Sequence, residues 1–205
     1  MKTIGGILAG GRGRRMEGID KPLAELAGRP LIAHVIDRLA AQTDGVIVNA
    51  NSAPERFDAF GFDVVADSIG GFRGPLAGVH ALMQAAHVRG ASHVLVVPAD
   101  TPLLPRNLLS RLKEAAADET VARIASSNRR QHPVVALWPA ALATHLGDYL
   151  AATADLSMAA YLRQIRIAEA DFTDPDAPDP FFNINDPADL ARAEQLIGDS
   201  GGVSR

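Results

Sequence analysis

Short apolar, β-branched runs alternate along this chain with longer stretches of helical period. That alternation constrains the fold most, because it favours parallel strands joined by helical crossovers. The first run is Thr3 to Leu8, and a helix is predicted at about Pro30 to Ala41, with Leu31, Val35, Ile36 and Leu39 on one face. Strands follow in "GVIVNAN" (45–51) and "DVVAD" (63–67), then a helix in "GPLAGVHALMQAAHV" (74–88). "HVLVVPADTPLLP" (93–105) opens on a wholly apolar run, the pattern of a buried central strand. Beyond it the sequence predicts a helix at about Arg106 to Ala117, strands near 121–126, 133–139 and 165–172, helical segments within 140–163, and a last helix at 187–197 with Asp186 as its N-cap. The expected architecture is α/β, three layers α/β/α, with a mainly parallel Rossmann-like sheet.

At 205 residues the chain suits one domain, expected over 1–197 with a flexible tail at 198–205. A net charge of −4 provides no global field for nucleic acid or an anionic membrane, so any anion site has to be local. The chain has no cysteine, which excludes disulfides, thiolate metal centres and a thiol nucleophile. No signal-peptide pattern or long apolar span is visible, and a cytoplasmic location is expected.

The local site is announced by "ILAGGRGRRMEGIDKPL" (7–23), directly after the first strand. From Arg12 to Lys21 it carries four cations (Arg12, Arg14, Arg15, Lys21) against Glu17 and Asp20. Glycine lets backbone N–H groups approach an anion that a Cβ would hold off. Loops that only connect a strand to a helix take about 2–6 residues, and this one is longer. It is neither a dinucleotide fingerprint, since Met16 stands where G-x-G-x-x-G needs its last glycine, nor a Walker A loop, since Lys21 follows Asp20. Asp100 lies just past an apolar strand, at the edge where open α/β sheets bind ligands. A carboxylate facing a phosphate loop needs a cation between them, and Mg²⁺ suits oxygen ligands; the other reading of Asp100 is a turn cap. Asn49 and Asp67 end the second and third strands and read either as base or ribose contacts or as turn formers. His80 and His87 lack the carboxylate of a zinc motif and read as structural or surface residues, and Trp138 reads as core.

In order and spacing, "LAGGRGRRMEGIDKPLAELAGRPL", "VNAN", "VVADS…GPLAG", "VVPADTPLLP" and "NINDP" resemble the molybdenum cofactor guanylyltransferases. These are nucleotidyltransferases of the glycosyltransferase-A-like, nucleotide-diphospho-sugar transferase type. The resemblance runs from about Ile4 to Ile197, and its first motif, L-A-G-G-x-x-x-R-M-x-G-x-D-K, is specific to nucleotidyl transfer. It implies GTP on Leu8, Ala9, Gly10 and Gly11, with Arg15 and Lys21 on the phosphates, Asn49 and Asp67 on the guanosine, and Mg²⁺ on Asp100. On the acceptor side it implies Gly74, Asn183, Asn185 and the "RQHP" stretch with Arg130 and His132, the last reading as substrate contact or as packing. The implied partners are GTP and a molybdopterin-type acceptor, with transient contact to molybdenum insertion proteins and molybdoenzyme chaperones. Two features depart from the family pattern: Glu17 replaces a glycine after the Arg-Met pair, and "TADLSM" stands where some members carry basic residues.

The chemistry implied is in-line attack of an acceptor phosphate on the α-phosphorus, needing charge neutralisation and alignment rather than a covalent nucleophile. The absence of a G-x-S-x-G elbow and of cysteine agrees with that. The competing readings are a cytidylyltransferase or a sugar-phosphate enzyme of the same fold, a silent nucleotide-binding protein, and an NAD-dependent enzyme. Gly10-Gly11 in place of the usual cytidylyltransferase Ala-Gly favours guanine.

Overall fold

The computed structural model describes residues 1–10, 20–69 and 74–201, of which 199–201 are described as backbone only. In chain order the elements are β1 (Thr3–Leu8), β2 (Glu25–Leu26), β3 (Arg29–Pro30), α1 (Leu31–Ala40), β4 (Val46–Asn49), β5 (Asp63–Val65), α2 (Pro75–Val88), β6 (His93–Pro98), α3 (Leu108–Glu114), β7 (Ala122–Ser127), β8 (Arg130–Pro139), α4 (Ala143–Ala152), α5 (Met158–Leu162), β9 (Ile167–Asp171) and α6 (Pro187–Gly201). No described helix is long and apolar enough to cross a membrane.

Seven strands form one sheet in the order β5-β4-β1-β6-β8-β7-β9, and β2-β3 is a separate small hairpin. β5, β4, β1 and β6 run parallel, as do β7 and β9; β8 alone is antiparallel to both its neighbours. The sheet is thus mainly parallel, and successive side chains of each strand serve opposite faces. Ile7, Leu95 and Val97 pack with Val35, Leu39, Leu108 and Leu112 of α1 and α3. Ile4, Val94 and Val96 pack with Leu76, Val79 and Leu82 of α2 and with Leu146 and Tyr161 of α4 and α5. These are the three layers that the alternation predicts. Gly6 is what lets α2 lie so close, since a Cβ there would stand 2.8 Å from a Leu82 methyl. A third cluster joins Leu26 and Leu31 to Ile184 and Ala193, seating α6 on the β2-β3 hairpin.

Three boundaries differ from the sequence reading. α3 is shorter than expected because the carbonyls of Ala116 and Asp118 accept from the buried Arg123 guanidinium rather than continuing the helix (2.9 and 3.1 Å). β8 begins three residues early, at Arg130, because Asn128 and Arg129 both take positive φ and close a tight hairpin with β7. Its register slips between Ile124 and Ala125, which face Ala136 and His132, and Pro133, with no N–H to give, falls in that bulge. α6 continues to Gly201 instead of ending at 197: once capped by Asp186, whose Oδ1 accepts from Asp189 N at 2.9 Å, extension is easier than nucleation. Residues 202–205 of the expected tail lie outside the described residues.

Candidate active site

Because β4, β1 and β6 are parallel, their carboxyl ends share one edge, and the chain leaving each strand stays in register for another residue. Ala9 N donates to Asn49 O (2.9 Å), and Ala99 N donates to Leu8 O (3.0 Å). Leu8, Ala9 and Gly10 therefore lie between the end of β4 and the end of β6. A Cβ on Gly10 would come within 3.3 Å of the Ala50 backbone. Gly11 and Arg15, with Glu17, lie outside the described residues.

The far end of that loop returns at Lys21. Its Nζ stands 2.5 Å from Asp100 Oδ2 and 3.0 Å from Asn185 Oδ1, so residues separated by 79 and 164 positions meet at one ammonium. The lysine and aspartate side chains are only 15% and 21% exposed. Asn183 adds its amide: turned so that its nitrogen faces the carboxylate, it donates to both Asp100 oxygens, and to the Asp100 carbonyl at 3.2 Å. The backbone keeps this arrangement in place, with Ile184 N on Asp100 O (3.0 Å) and Asn185 N on Asp189 Oδ2 at the start of α6 (2.8 Å). Asp100 is thus an ion-paired carboxylate rather than a mere turn former.

On the β4 side, Asn49 is 1% exposed and its amide donates to Val65 O (3.2 Å) and Asp67 Oδ1 (2.9 Å). Asn51 donates to Asp67 Oδ2 (2.7 Å) and accepts from Asp67 N (2.8 Å). Asn49 and Asn51 therefore clamp Asp67, two residues beyond β5. Next to it Ser68 Oγ meets His80 Nδ1 at 2.7 Å; burial lowers the His80 pKa, with the Ala143 backbone opposing the shift, and the ring sits 5% exposed on α2. His80 is structural, as the sequence implies, and Trp138 is fully buried.

Of the residues expected on the acceptor side, Asn183 and Asn185 join the Lys21–Asp100 pair, Arg130 is exposed at the start of β8, and Gly74 caps the start of α2 at φ 70°. His132 has another setting. Its Nε2 lies 2.7 Å from Ser127 Oγ, which donates to Asp179 Oδ1 at 2.8 Å, and its ring stacks on Phe181 (4.7 Å between centroids). Since Ser127 spends its proton on Asp179, it accepts from His132, so Nε2 carries the hydrogen. Burial lowers the His132 pKa, against the Asp179 charge, which raises it. This cluster pins the stretch that leads to Asn183.

Asn51, Ser127 and Asp179 escaped the sequence reading, and so did a cation beside the glycine-rich loop. Arg56 pairs with the Asp20 carboxylate and reaches Ala9 O at 3.4 Å, while its guanidinium lies 4.6 Å from the centre of the Phe57 ring. It ties together the two described ends of the glycine-rich loop. Only the lone cation in "NSAPERFDAF" hinted at it.

A lysine from the far end of the glycine-rich loop, a carboxylate just past β6 and an amide oxygen just before α6 meet in one centre suited to anionic groups. The chain is a nucleotidyltransferase, and the fold and site are in keeping with that class. A family model described as the MobA-like NTP transferase domain matches residues 5–168. Over 194 residues the chain is 46% identical to a molybdenum cofactor guanylyltransferase of Rhodopseudomonas palustris, a match spanning 93% of this chain and 91% of that one. The chain belongs to the molybdenum cofactor guanylyltransferases. Its fold is similar to that of molybdopterin-guanine dinucleotide biosynthesis protein A from Archaeoglobus fulgidus (22% identity, TM-score 0.69, covering 96% and 99% of the two chains). It is also similar to that of a Mycobacterium tuberculosis protein solved in complex with manganese (17% identity, TM-score 0.70, covering 95% and 98%).

Proposed function

We propose that the chain, acting as one unit over 1–197, transfers GMP from GTP to a molybdopterin-type acceptor and releases pyrophosphate. The observation that carries this reading is the convergence of Lys21, Asp100 and Asn185 beside the Leu8–Gly10 stretch; the choice of guanine and of acceptor is supported by the relatives. The same class of acceptor implies transient contact with proteins that insert molybdenum and that carry the finished cofactor, in the cytoplasm.

The donor set suits a divalent cation. Asp100 Oδ2 and Asn185 Oδ1 are hard oxygens aimed at one positive charge, and Mg²⁺ is held by one or two carboxylates together with substrate phosphates. Asp100 would hold Mg²⁺, which when bound supplies Lewis-acid stabilisation to the phosphates. An acceptor phosphate oxygen attacks the α-phosphorus; the bond from that phosphorus to the α–β bridging oxygen breaks, and pyrophosphate leaves with the electron pair. Lys21 and Arg15 balance the charge that grows on the leaving phosphates, and loop N–H groups bind the same oxygens. Asn49 holds Asp67 toward the nucleoside. The segment from Asp179 to Asn185, fixed by Ser127 and His132, orients the acceptor.

The reading is tested by calorimetric titration with GTP, CTP and ATP, with and without Mg²⁺, followed by pyrophosphate release in the presence of acceptor. Selective, Mg²⁺-strengthened GTP binding is expected. Asp100→Asn should lower turnover by at least about 10²-fold; CTP preference, or near-normal turnover in that variant, would overturn the assignment.

A further inference from the structure

We propose that Lys21 is the resident counter-ion of Asp100, and that it keeps a divalent cation out of the site until a nucleotide polyphosphate draws the ammonium away. The inference rests on the reading of this edge as the metal and triphosphate centre, and it goes further by setting the order in which the two ligands enter.

The geometry is that of one position claimed by two cations. Lys21 Nζ stands where Asp100 Oδ2 (2.5 Å) and Asn185 Oδ1 (3.0 Å) converge. A Mg²⁺ ion bound to the same oxygen sits about 2.0–2.1 Å from it. Two positive charges cannot share that point in a setting where the lysine side chain is 15% exposed and the aspartate 21%. The carboxylate is occupied a second time by the Asn183 amide nitrogen. A bare metal ion must therefore displace hydrogen bonds as well as a charge.

In return the protein gives a metal little. No group of three or more His, Cys, Asp or Glu able to hold an ion exists among the described residues. One carboxylate and one amide oxygen leave most of an octahedral shell to water and phosphate. A nucleotide changes both sides of the competition. Its phosphate oxygens offer Lys21 another anionic partner within reach of a flexible four-carbon stem, and they complete the shell of the incoming ion. The pair is neutral at rest, and it separates only when the ligand brings negative charge for the lysine and positive charge for the aspartate.

Mn²⁺ serves as the probe, followed by the electron paramagnetic resonance signal of the free aquo ion and titrated into nucleotide-free protein. Wild type should leave nearly all the Mn²⁺ free. Lys21→Met, close to lysine in volume and uncharged, should bind it at least about tenfold more tightly, the worth of one charge-assisted hydrogen bond. Lys21→Arg, which keeps the charge, should behave like wild type, and Asp100→Asn added to Lys21→Met should abolish the gain. Circular dichroism checks folding, and Lys21→Gln replaces the Met variant if that one fails to fold.

A Lys21→Met protein that binds Mn²⁺ no better than wild type, or an Arg variant that binds as well as the Met variant, would overturn the proposal. No GTP is present, so the readout separates from the guanylyl reading. Absence of the gain in Lys21→Met, while the wild type turns over GTP, sinks the counter-ion alone. The gain without any GTP binding in calorimetry upholds the exclusion and sinks the nucleotide assignment.

Discussion

Replacing Gly78 with alanine tests how tightly the nucleotide side is built. In an ordinary helix interior the change stabilises by about 1 kcal/mol, because alanine has the higher helix propensity. Here the added Cβ would stand 2.5 Å from Asn49 Oδ1 and 2.6 Å from a Leu8 methyl. Asn49 cannot swing aside freely: it is 1% exposed, and its amide is committed to Val65 O and Asp67. Forcing an extra methyl into a packed core costs about 1–3 kcal/mol. The net expectation is a loss of about 1 kcal/mol, or about 2–4 °C in Tm for a chain of this size. Because the displaced amide is one of the two that hold Asp67, nucleotide affinity should fall as well if Asp67 contacts the nucleoside as proposed. Thermal unfolding and calorimetric GTP titration read the two effects, and an Asn49→Ala background supplies the control, since it removes the closer of the two clashes and gives the Leu8 methyl room to move. A Gly78→Ala protein with raised Tm and unchanged affinity would refute the argument.

Arg123 is 2% exposed and donates to the carbonyls of Ala116, Asp118 and Val121, so Arg123→Met should destabilise by about 3 kcal/mol in urea unfolding, the typical result of leaving one or two buried acceptors dry. An unchanged midpoint would show that water replaces the guanidinium. Burial holds the His80, His93 and His132 pKa values below the ordinary 6.5, so between pH 7.5 and 5.5 the unfolded chain binds more protons than the folded one. Their contribution is therefore complete above about pH 6.5 and is lost as pH falls below it. Tm should drop over that window, and less steeply in His93→Gln; a flat wild-type profile contradicts the burial argument.

Local pattern revealed most of the scaffold. β1, β4 and β6 were legible because a strand buried on both faces must be continuously apolar, and α1 and α2 because their apolar residues recur at helical spacing. Asp100 was legible as a site candidate from its place after β6. Its meeting with Asn185 at the Lys21 ammonium was not, since nothing within a short window relates Lys21 to positions 79 and 164 residues further on. Nothing in the sequence marks Arg123, whose burial depends on backbone carbonyls that turn toward it only after α3 has ended. The early start of β8 was hidden because the turn at Asn128 and Arg129 takes positive φ without a glycine to mark it. The Arg56–Asp20 pair and the contacts of His132 with Ser127 and Asp179 were invisible for the same reason as the lysine pair: each is a tertiary contact, and of these residues the sequence marked only His132 and the cations and anions of the loop.

The reversed direction of β8 divides the labour of the sheet. Among its parallel neighbours the ligand edge is built by chain leaving a strand, so altering it disturbs the crossover that follows. β8 reaches that edge at its beginning, through the Asn128-Arg129 hairpin, which is anchored on both sides by its own ladder. The sheet thus meets its carboxyl edge in two ways, by chain that leaves β1, β4 and β6 and by a turn that leads straight back into the ladder.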